Sequence, residues 1–334
     1  MNTMAMDLSH EATNARLDRV IGDARAWTRR DIEPKDSVLV LGPDARAEVA
    51  GLTGALLRDP LPRLLRAPDQ VEIPALRRVM GRIKDGLDHM PGFAVLDRLP
   101  LDDLDRETAI TMFWILGQLI ARPVAHRWDG TMLYDVRDTG QSYSYSIHSS
   151  HTNEKIVFHI DNAFGVAPPD YVGLLCLRPA KVGGVSRFCS LYTVHNRLLE
   201  GYPEALERLY RPVLWDRQAE HSDNAPRVLL APMFRWDGAR LSGRANVSLV
   251  HKGYEVAGTD LDRETADALA AVAEVTADPD IWAELAIERG QLQYLNNREI
   301  AHYRGHFTDD EDTDLKRHLV RTWHRDWGRP SYDG

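Results

Sequence analysis

The chain has 334 residues, of which 43% are hydrophobic and 27% are charged. This composition is that of a globular protein with a buried core, and it excludes a fully disordered chain. The formal net charge of −9 disfavours a nucleic-acid backbone as the main partner, because like charges repel. The N-terminus has no apolar stretch typical of a secretory signal, and no apolar run is long enough to cross a bilayer. We therefore expect a cytoplasmic protein with no membrane partner.

Helical periodicity dominates the start of the chain and returns in its second half. Apolar residues recur there at spacings of three and four, which place them on one face of a helix. The clearest case begins near Asp105 with an acidic first turn and brings Ile110, Phe113 and Trp114 onto one side. The predicted helices are 12–30, 44–66, 75–89, 105–122, 193–210 and 262–286.

Short runs rich in β-branched and aromatic residues fill the middle and the end of the chain. Turn residues such as glycine and proline separate them, as expected for strands. The predicted strands are 92–96, 132–136, 155–160, 171–177, 185–191, 291–296 and 318–323. Many short strands with helices at the start and inserted late favour a β sandwich or barrel decorated by helices. They do not favour alternating βαβ units.

A candidate metal site begins with His159 and Asp161. Residues two apart in a strand share a face, so this imidazole and carboxylate point the same way and offer two ligands for a divalent metal. The alternative is a surface strand with a His–Asp hydrogen bond. A third ligand from His302, 143 residues later, would complete a 2-His-1-carboxylate face with open positions, which suits non-haem Fe(II). His302 can also be an ordinary polar loop histidine, and His306 is a rival ligand in the same loop.

Two further motifs offer groups that bind carboxylates. Arg317 and Arg321 lie four residues apart in a predicted strand and so share a face. Arginine binds carboxylates through two parallel hydrogen bonds, and a buried arginine needs an anionic partner. The alternative partners are the acids at 309–314 or solvent. The Gly183-Gly184 pair permits a tight turn, after which the Ser186 hydroxyl could donate to a carboxylate; a plain hairpin turn is the alternative.

The order and spacing of these motifs resemble one family. The chain reads His-x-Asp, then Gly-Gly-x-Ser, then Asn-Arg-x-x-x-His, then Arg-x-x-x-Arg. This resembles the Fe(II)/2-oxoglutarate dioxygenases of the taurine dioxygenase/TfdA family, including the clavaminate synthase-like branch. The resemblance covers roughly 90–327. It implies an α+β, mainly β fold: a double-stranded β-helix (jelly roll) core decorated by helices. We expect one catalytic domain over 1–334, with a helical extension at 1–90 packed on a jelly-roll core at 91–327, and a helical insertion at about 193–286.

The resemblance also assigns roles at the metal and the co-substrate. It implies that His159, Asp161 and His302 bind Fe(II). It implies that Arg317, with Ser186 beside it, holds the distal carboxylate of 2-oxoglutarate. The family more often has threonine at the position of Ser186, and serine keeps the hydroxyl group. Because Asp161 is present, the chain differs from a related subgroup of halogenases that lacks this carboxylate.

Contacts with the primary substrate are predicted at three positions. By the same resemblance, Arg321 faces an anionic group of the substrate. Asn153 and His151, just before the iron strand, occupy places where such enzymes often contact substrate. The Tyr-Ser-Tyr-Ser segment at 143–146 is either a lid over the substrate or an ordinary polar loop.

The implied activity is hydroxylation of an unactivated C–H bond of a small, anionic or amino-acid-like molecule. The reaction consumes O₂ and 2-oxoglutarate and releases succinate and CO₂. One alternative is desaturation or cyclisation on the same scaffold in natural-product biosynthesis. Alternatives from other classes are a non-catalytic jelly-roll binding module and a zinc hydrolase. A small-molecule substrate is the expected partner, and a homo-oligomer is expected because such assemblies are common.

Overall fold

The structure is a computed structural model that describes residues 5–7, 15–140, 152–218, 220–222 and 224–332. Its α-helices are Pro43–Arg58 (α1), Pro74–Asp88 (α2), Arg106–Gly117 (α3), Leu191–Gly201 (α4), Pro203–Leu209 (α5), Val247–Ala257 (α6) and Arg263–Ala277 (α7). Within the described residues, no helix combines the length and the apolar character that crossing a membrane requires.

Eighteen short strands accompany these helices in the described residues. They are Met6–Asp7 (β1), Val38–Val40 (β2), Phe93–Asp97 (β3), Arg122–Val124 (β4), Tyr134–Val136 (β5), Ile156–His159 (β6), Tyr171–Arg178 (β7), Val182–Gly183 (β8), Ser186–Ser190 (β9), Val213–Asp216 (β10), Val228–Ala231 (β11), Phe234–Trp236 (β12), Leu241–Gly243 (β13), Trp282–Leu285 (β14), Leu292–Asn296 (β15), Ile300–Arg304 (β16), Phe307–Thr308 (β17) and His318–Arg325 (β18). Each predicted strand is present, with ends shifted by one or two residues.

Two sheets form the centre of the molecule. The large sheet has the order β2-β3-β15-β7-β18-β4, with β5 also paired to β18, and the small sheet has the order β14-β9-β16-β6. Their strands pair antiparallel except for β2 beside β3. Phe93 of the large sheet stacks on Phe188 of the small sheet with ring centroids 4.4 Å apart. The two sheets therefore face each other across a shared apolar core.

Side-chain alternation explains how the large sheet is covered on both faces. In β15, Leu292 and Tyr294 pack into the core formed with α1, α2 and α3, whereas Leu295 packs toward the small sheet with Phe188. This is the period of two that a strand imposes on its side chains. The helices at the start of the chain thus cover the outer face of the large sheet, and the inner face remains available for a site between the sheets.

The segment 193–286 differs from the expected helical insertion. It contains most of α4, all of α5, α6 and α7, and also the five strands β10 to β14. The predicted helix over 262–286 is too long: α7 ends at Ala277, because Pro279 cannot continue a helix. The residues that follow form β14, which is the edge strand of the small sheet.

The N-terminal part also departs from the prediction. The helix predicted over 12–30 is wrong: 15–30 contains no helix, and its apolar residues Leu17, Ile21 and Trp27 are instead buried as single anchors. Further along the N-terminal part, Val38–Val40 form β2, which joins the large sheet by pairing in parallel with β3. The helix predicted over 44–66 ends at Arg58, ahead of two prolines. That 1–334 forms one catalytic domain stays a prediction.

Candidate metal and co-substrate site

The three residues expected to bind a metal lie together where β6 ends. His159 is the last residue of β6, and His302 is its register partner on β16; their ring centroids are 4.1 Å apart. Asp161 follows two residues after His159. The Nε2 atoms of His159 and His302 lie 3.8 and 3.6 Å from Asp161 Oδ1. One ligand atom from each of the three residues lies within 4.8 Å of the others.

The protonation of this group fits a bound cation. His159 Nδ1–H donates to the Val157 carbonyl at 2.8 Å, so its proton lies on Nδ1. Burial and the neighbouring His302 lower the pKa of His159 to about 3, which leaves a neutral ring with a lone pair on Nε2. Burial opposes the charge of Asp161, but the neighbouring Arg321 holds the pKa of that carboxyl well below its usual range. A lone pair and an anionic oxygen that face each other without a proton between them suit a metal ion. The rival ligand His306 is exposed and lies outside the group.

The Asp161 carboxylate is held by two donors on its other oxygen. The indole Nε1–H of Trp323 donates to Oδ2 at 2.7 Å, and Arg321 Nη1 lies 3.0 Å from the same atom. Both side chains come from β18, two residues apart and therefore on one face. The other carboxylate oxygen, Oδ1, therefore faces the imidazoles of His159 and His302. Sequence reasoning missed Trp323, and it assigned Arg321 to the substrate, whereas here Arg321 pairs with the metal-site carboxylate.

The backbone of Asp161 is fixed by a second residue whose role was not predicted. Asn297 is completely buried in the turn between β15 and β16. Its Oδ1 accepts from the Asp161 backbone N–H at 2.8 Å, and its Nδ2 donates to the Asp161 and Pro169 carbonyls at 3.0 Å. The asparagine of the Asn-Arg-x-x-x-His motif thus ties the carboxylate ligand to the chain that carries His302. The position of Asn297 in that motif was the feature of the sequence that could have indicated this role.

Arg317 is a buried cation with unused donor capacity. It lies directly before β18 and is 5% exposed, and its guanidinium carbon is 5.0 Å from the Phe307 ring. Burial lowers its pKa to about 10. Its Nη1 has no hydrogen-bond partner within the part of the chain that the structure describes. The nearby acid Asp309 accepts from the backbone N–H of Arg317. A buried guanidinium in this state suits an anionic ligand such as a carboxylate.

The glycine turn lies against Arg317. Gly184 has φ +68°, and a Cβ there would lie 3.3 Å from Phe307 Cβ and 3.5 Å from Arg317 Nε. The absence of a side chain therefore allows the turn to approach the guanidinium closely. Ser186 begins β9 two residues later and is the register partner of Arg304 on β16. The turn therefore leads the chain past Arg317 to Ser186, whose contact with a carboxylate stays a prediction.

Thr152 and Asn153, shortly before β6, are held by hydrogen bonds to residues of β16 and β17. The Phe307 backbone N–H donates to the Asn153 carbonyl at 3.2 Å, and Arg304 Nη2 donates to the Thr152 carbonyl at 2.8 Å. Burial and the nearby Arg317 lower the pKa of Arg304 to about 9. Asn153 is half-buried and does not line the cavity next to the metal ligands. His151 and the 143–146 segment lie outside the described residues.

A cavity of about 90 Å³ is lined by two of the three candidate ligands, His159 and Asp161. Its lining mixes both charges with neutral polar groups: besides His159 and Asp161 it includes His126, Arg127, Asn162, Gln218, Glu220, Arg321, Trp323 and Tyr332. Arg127 Nε lies 3.7 Å from Glu220 Oε1. A small concave site with polar groups of both signs suits a small polar or zwitterionic molecule.

Comparisons with known proteins show the family to which the chain belongs. Residues 58–323 match the family described as taurine catabolism dioxygenase TauD, TfdA family. The chain is 26% identical over 315 residues to the FR-33289 synthase of Streptomyces rubellomurinus, covering 92% of this chain and 91% of the relative. It is 26% identical over 343 residues to a taurine hydroxylase-like protein of Stachybotrys chartarum, covering 96% and 86%.

Solved structures with the same fold include two oxygenases. Asparagine oxygenase in complex with Fe(II), 2S,3S-3-hydroxyasparagine and succinate superposes with a TM-score of 0.64 at 19% identity, covering 87% of this chain and 94% of that one. The non-heme iron oxygenase OrfP in complex with Fe, succinate and (3S)-hydroxy-L-arginine gives a TM-score of 0.60 at 16% identity, with the same coverage. These likenesses confirm the predicted double-stranded β-helix. The match covers four-fifths of the chain, and it confirms the predicted resemblance to iron(II)- and 2-oxoglutarate-dependent oxygenases. The chain belongs to the TauD, TfdA dioxygenase family.

Proposed function

We propose that the chain hydroxylates an unactivated C–H bond of a small amino-acid-like or otherwise anionic substrate, using iron(II), 2-oxoglutarate and O₂. The observation that carries the proposal is the convergence of His159, Asp161 and His302 beside a polar cavity. Three protein ligands leave positions on the metal open for the co-substrate and oxygen. When bound, iron supplies the oxidising chemistry that couples decarboxylation of 2-oxoglutarate to C–H hydroxylation, with succinate and CO₂ released.

The side chains of this protein position the reactants. His159, Asp161 and His302 hold the iron, and Trp323 keeps the carboxylate of Asp161 oriented. We assign Arg317 to the distal carboxylate of 2-oxoglutarate, because its buried guanidinium has a donor without a partner among the residues that the structure describes. The Ser186 hydroxyl is its proposed second contact.

Arg321 is the proposed contact for an anionic group of the substrate. Its Nη1 pairs with Asp161, but its Nε, among the described residues, has no hydrogen-bond partner, and the residue lines the cavity. One guanidinium carries five N–H donors, so it can bind a ligand while it remains paired with Asp161. Asn153 and His151 stay predictions, since Asn153 lies away from the cavity lining and His151 lies outside the described residues.

The amino-acid class is supported by the relatives and by the cavity. Asparagine oxygenase and OrfP were each crystallised with a hydroxylated amino acid and succinate. An amino acid carries an ammonium and a carboxylate group, and the cavity offers Glu220 as well as Arg127 and Arg321. These ionic groups are complementary to a zwitterion.

The proposal is tested by anaerobic titration of the apo-protein with Fe(II), with and without 2-oxoglutarate. A chelated keto acid gives a weak visible charge-transfer band, which we expect only when both are added. His159→Ala should abolish the band, whereas His306→Ala, which removes the exposed rival histidine, should retain it. No band in folded wild-type protein would contradict the proposal and favour the binding module or the zinc enzyme. Product mass then separates the addition of one oxygen atom from the loss of two hydrogens, which desaturation or cyclisation gives.

A further inference from the structure

The cavity holds polar side chains that the metal and co-substrate roles leave unused. Asn162 directly follows the ligand Asp161 and is 5% exposed, and neither Oδ1 nor Nδ2 has a hydrogen-bond partner among the described residues. Within the same described part of the chain, both ring nitrogens of His126 and Oη of Tyr332 also lack partners. All three residues line the cavity. Buried polar groups without partners are costly, so their concentration in one cavity indicates that a ligand satisfies them.

The backbone presents the Asn162 carboxamide in a fixed position. Asn162 has φ +54°, in the left-handed region that asparagine tolerates better than most residues. The Gly165 N–H donates to the Asn162 carbonyl at 3.0 Å and closes a turn. A Cβ at Gly165 would lie 2.3 Å from Asn162 Nδ2, so the carboxamide packs directly on the glycine backbone. The side chain is therefore pre-organised, which reduces the entropy lost on binding.

The unused groups of the cavity are uncharged. The proposed function already assigns the ionic groups to the ammonium and carboxylate groups of the substrate: Arg321, which also pairs with Asp161 at 3.0 Å, and Arg127 and Glu220, which lie 3.7 Å apart. Burial places the pKa of His126 well below its ordinary value, so this ring is neutral at physiological pH. A charged group bound beside Asn162 would lack a dedicated counter-ion. An uncharged polar group would find hydrogen-bond partners among the uncharged side chains of the cavity.

We propose that Asn162 is a specificity-determining residue that binds an uncharged polar group, a carboxamide or a hydroxyl, on the side chain of the amino-acid substrate. This inference rests on the proposed function, because it assigns one part of the same substrate pocket. The Asn162 carboxamide offers a donor and an acceptor side by side, which complement the acceptor and donor of such a group. An aliphatic side chain would leave both atoms unpaired, and buried unpaired groups give strong discrimination against the analogue that lacks the partner.

The test measures succinate and hydroxylated product with a panel of L-amino acids. Asparagine, glutamine, serine and threonine present the proposed group; valine and leucine lack it; aspartate, glutamate, lysine and arginine carry a charge. We expect turnover to favour the first set. Asn162→Gly removes the carboxamide while glycine accepts the positive φ, and it should raise the KM of the best amino acid at least tenfold. Asn162→Asp keeps the shape but loses the amide donor, and it should also raise this KM.

Several outcomes would overturn the inference. They are preferred turnover of aliphatic or charged amino acids, turnover of no member of the panel, and an unchanged amino-acid KM in Asn162→Gly. The KM for 2-oxoglutarate distinguishes recognition from structure, because a merely structural role would raise it together with the amino-acid KM. The anaerobic Fe(II) and 2-oxoglutarate band of the wild type separates the two proposals. Without the band the proposed function fails; with the band but no effect at Asn162, only this inference fails.

Discussion

Replacing Trp323 by phenylalanine should weaken iron binding although the indole does not touch the metal. Trp323 Nε1–H donates to Asp161 Oδ2 at 2.7 Å, and Arg321 at 3.0 Å is the other donor to this oxygen. A hydrogen bond to a charged group contributes about 1.5–3 kcal/mol. Losing it frees the carboxylate to rotate away from the imidazoles. Loss of a partner that orients a metal ligand typically costs roughly 10–100-fold in metal affinity, which is about 1.4–2.7 kcal/mol and agrees with the bond's own range.

The measurement is the anaerobic Fe(II) titration in the presence of 2-oxoglutarate, with thermal unfolding as a check that the variant folds. Trp114→Phe is the matched control. Trp114 is 4% exposed against 5% for Trp323, and its indole donates to the Arg66 carbonyl at 3.1 Å, away from the metal ligands. We expect this control to lose stability but to bind Fe(II) within twofold of the wild type. Unchanged iron affinity in folded Trp323→Phe, or equal weakening in both variants, would refute the reasoning.

Three further predictions concern residues at and behind the site. Asn297→Ala removes three hydrogen bonds, two of them to the Asp161 backbone, and should lower both the free energy of unfolding in urea and the Fe(II) affinity. Arg317→Lys keeps the charge but loses two-point binding, so the KM for 2-oxoglutarate should rise at least tenfold in steady-state kinetics. Burial lowers the pKa of His324 to about 4, so its stabilising neutral form is complete above the unfolded pKa near 6.5 and is lost as pH falls toward 4. Between pH 8 and pH 5 this costs about 2 kcal/mol of unfolding free energy, and His324→Gln should reduce the measured pH dependence by that amount.

The ligand set was predictable through the resemblance to the family, because local chemistry alone left a surface His–Asp pair as an alternative. The strand periodicity of two puts His159 and Asp161 in register, and the distant motif supplied His302. The structure brings these three together, and the choice of His302 over His306 came from the motif that resembles the family. The sandwich of short strands was predictable from the residues themselves, since apolar alternation and turn residues mark each strand separately. Arg317, like the metal ligands, was singled out through the resemblance to the family.

Other contacts at the site depend on the fold as a whole. Trp323 reaches Asp161 across 162 residues, and Asn297 reaches it across 136. A tryptophan in a strand is as easily a core residue, so nothing local marks Trp323 as a donor to the ligand. The helix predicted over 12–30 failed for a related reason. Its apolar residues fit a helical pattern, but they are buried in two different hydrophobic clusters. This tertiary packing outweighs the weak helix propensity of the segment.

Strand β18 connects the two halves of the site. Arg321 and Trp323 lie on one face of β18, and Arg317 directly precedes this strand, so the proposed co-substrate cation and both donors to the metal carboxylate come from one short stretch of chain. The opposite face is held closely: a Cβ at Gly173 on β7 would lie 2.7 Å from Thr322 Oγ1. β18 pairs with β4, β5 and β7, which holds the two donors to Asp161 in place, and Arg317 is joined to them through the backbone at the start of the strand. We therefore expect β18 to position the proposed co-substrate contact Arg317 relative to the metal ligands, whereas the proposed substrate contact Asn162 lies in the turn beyond β6.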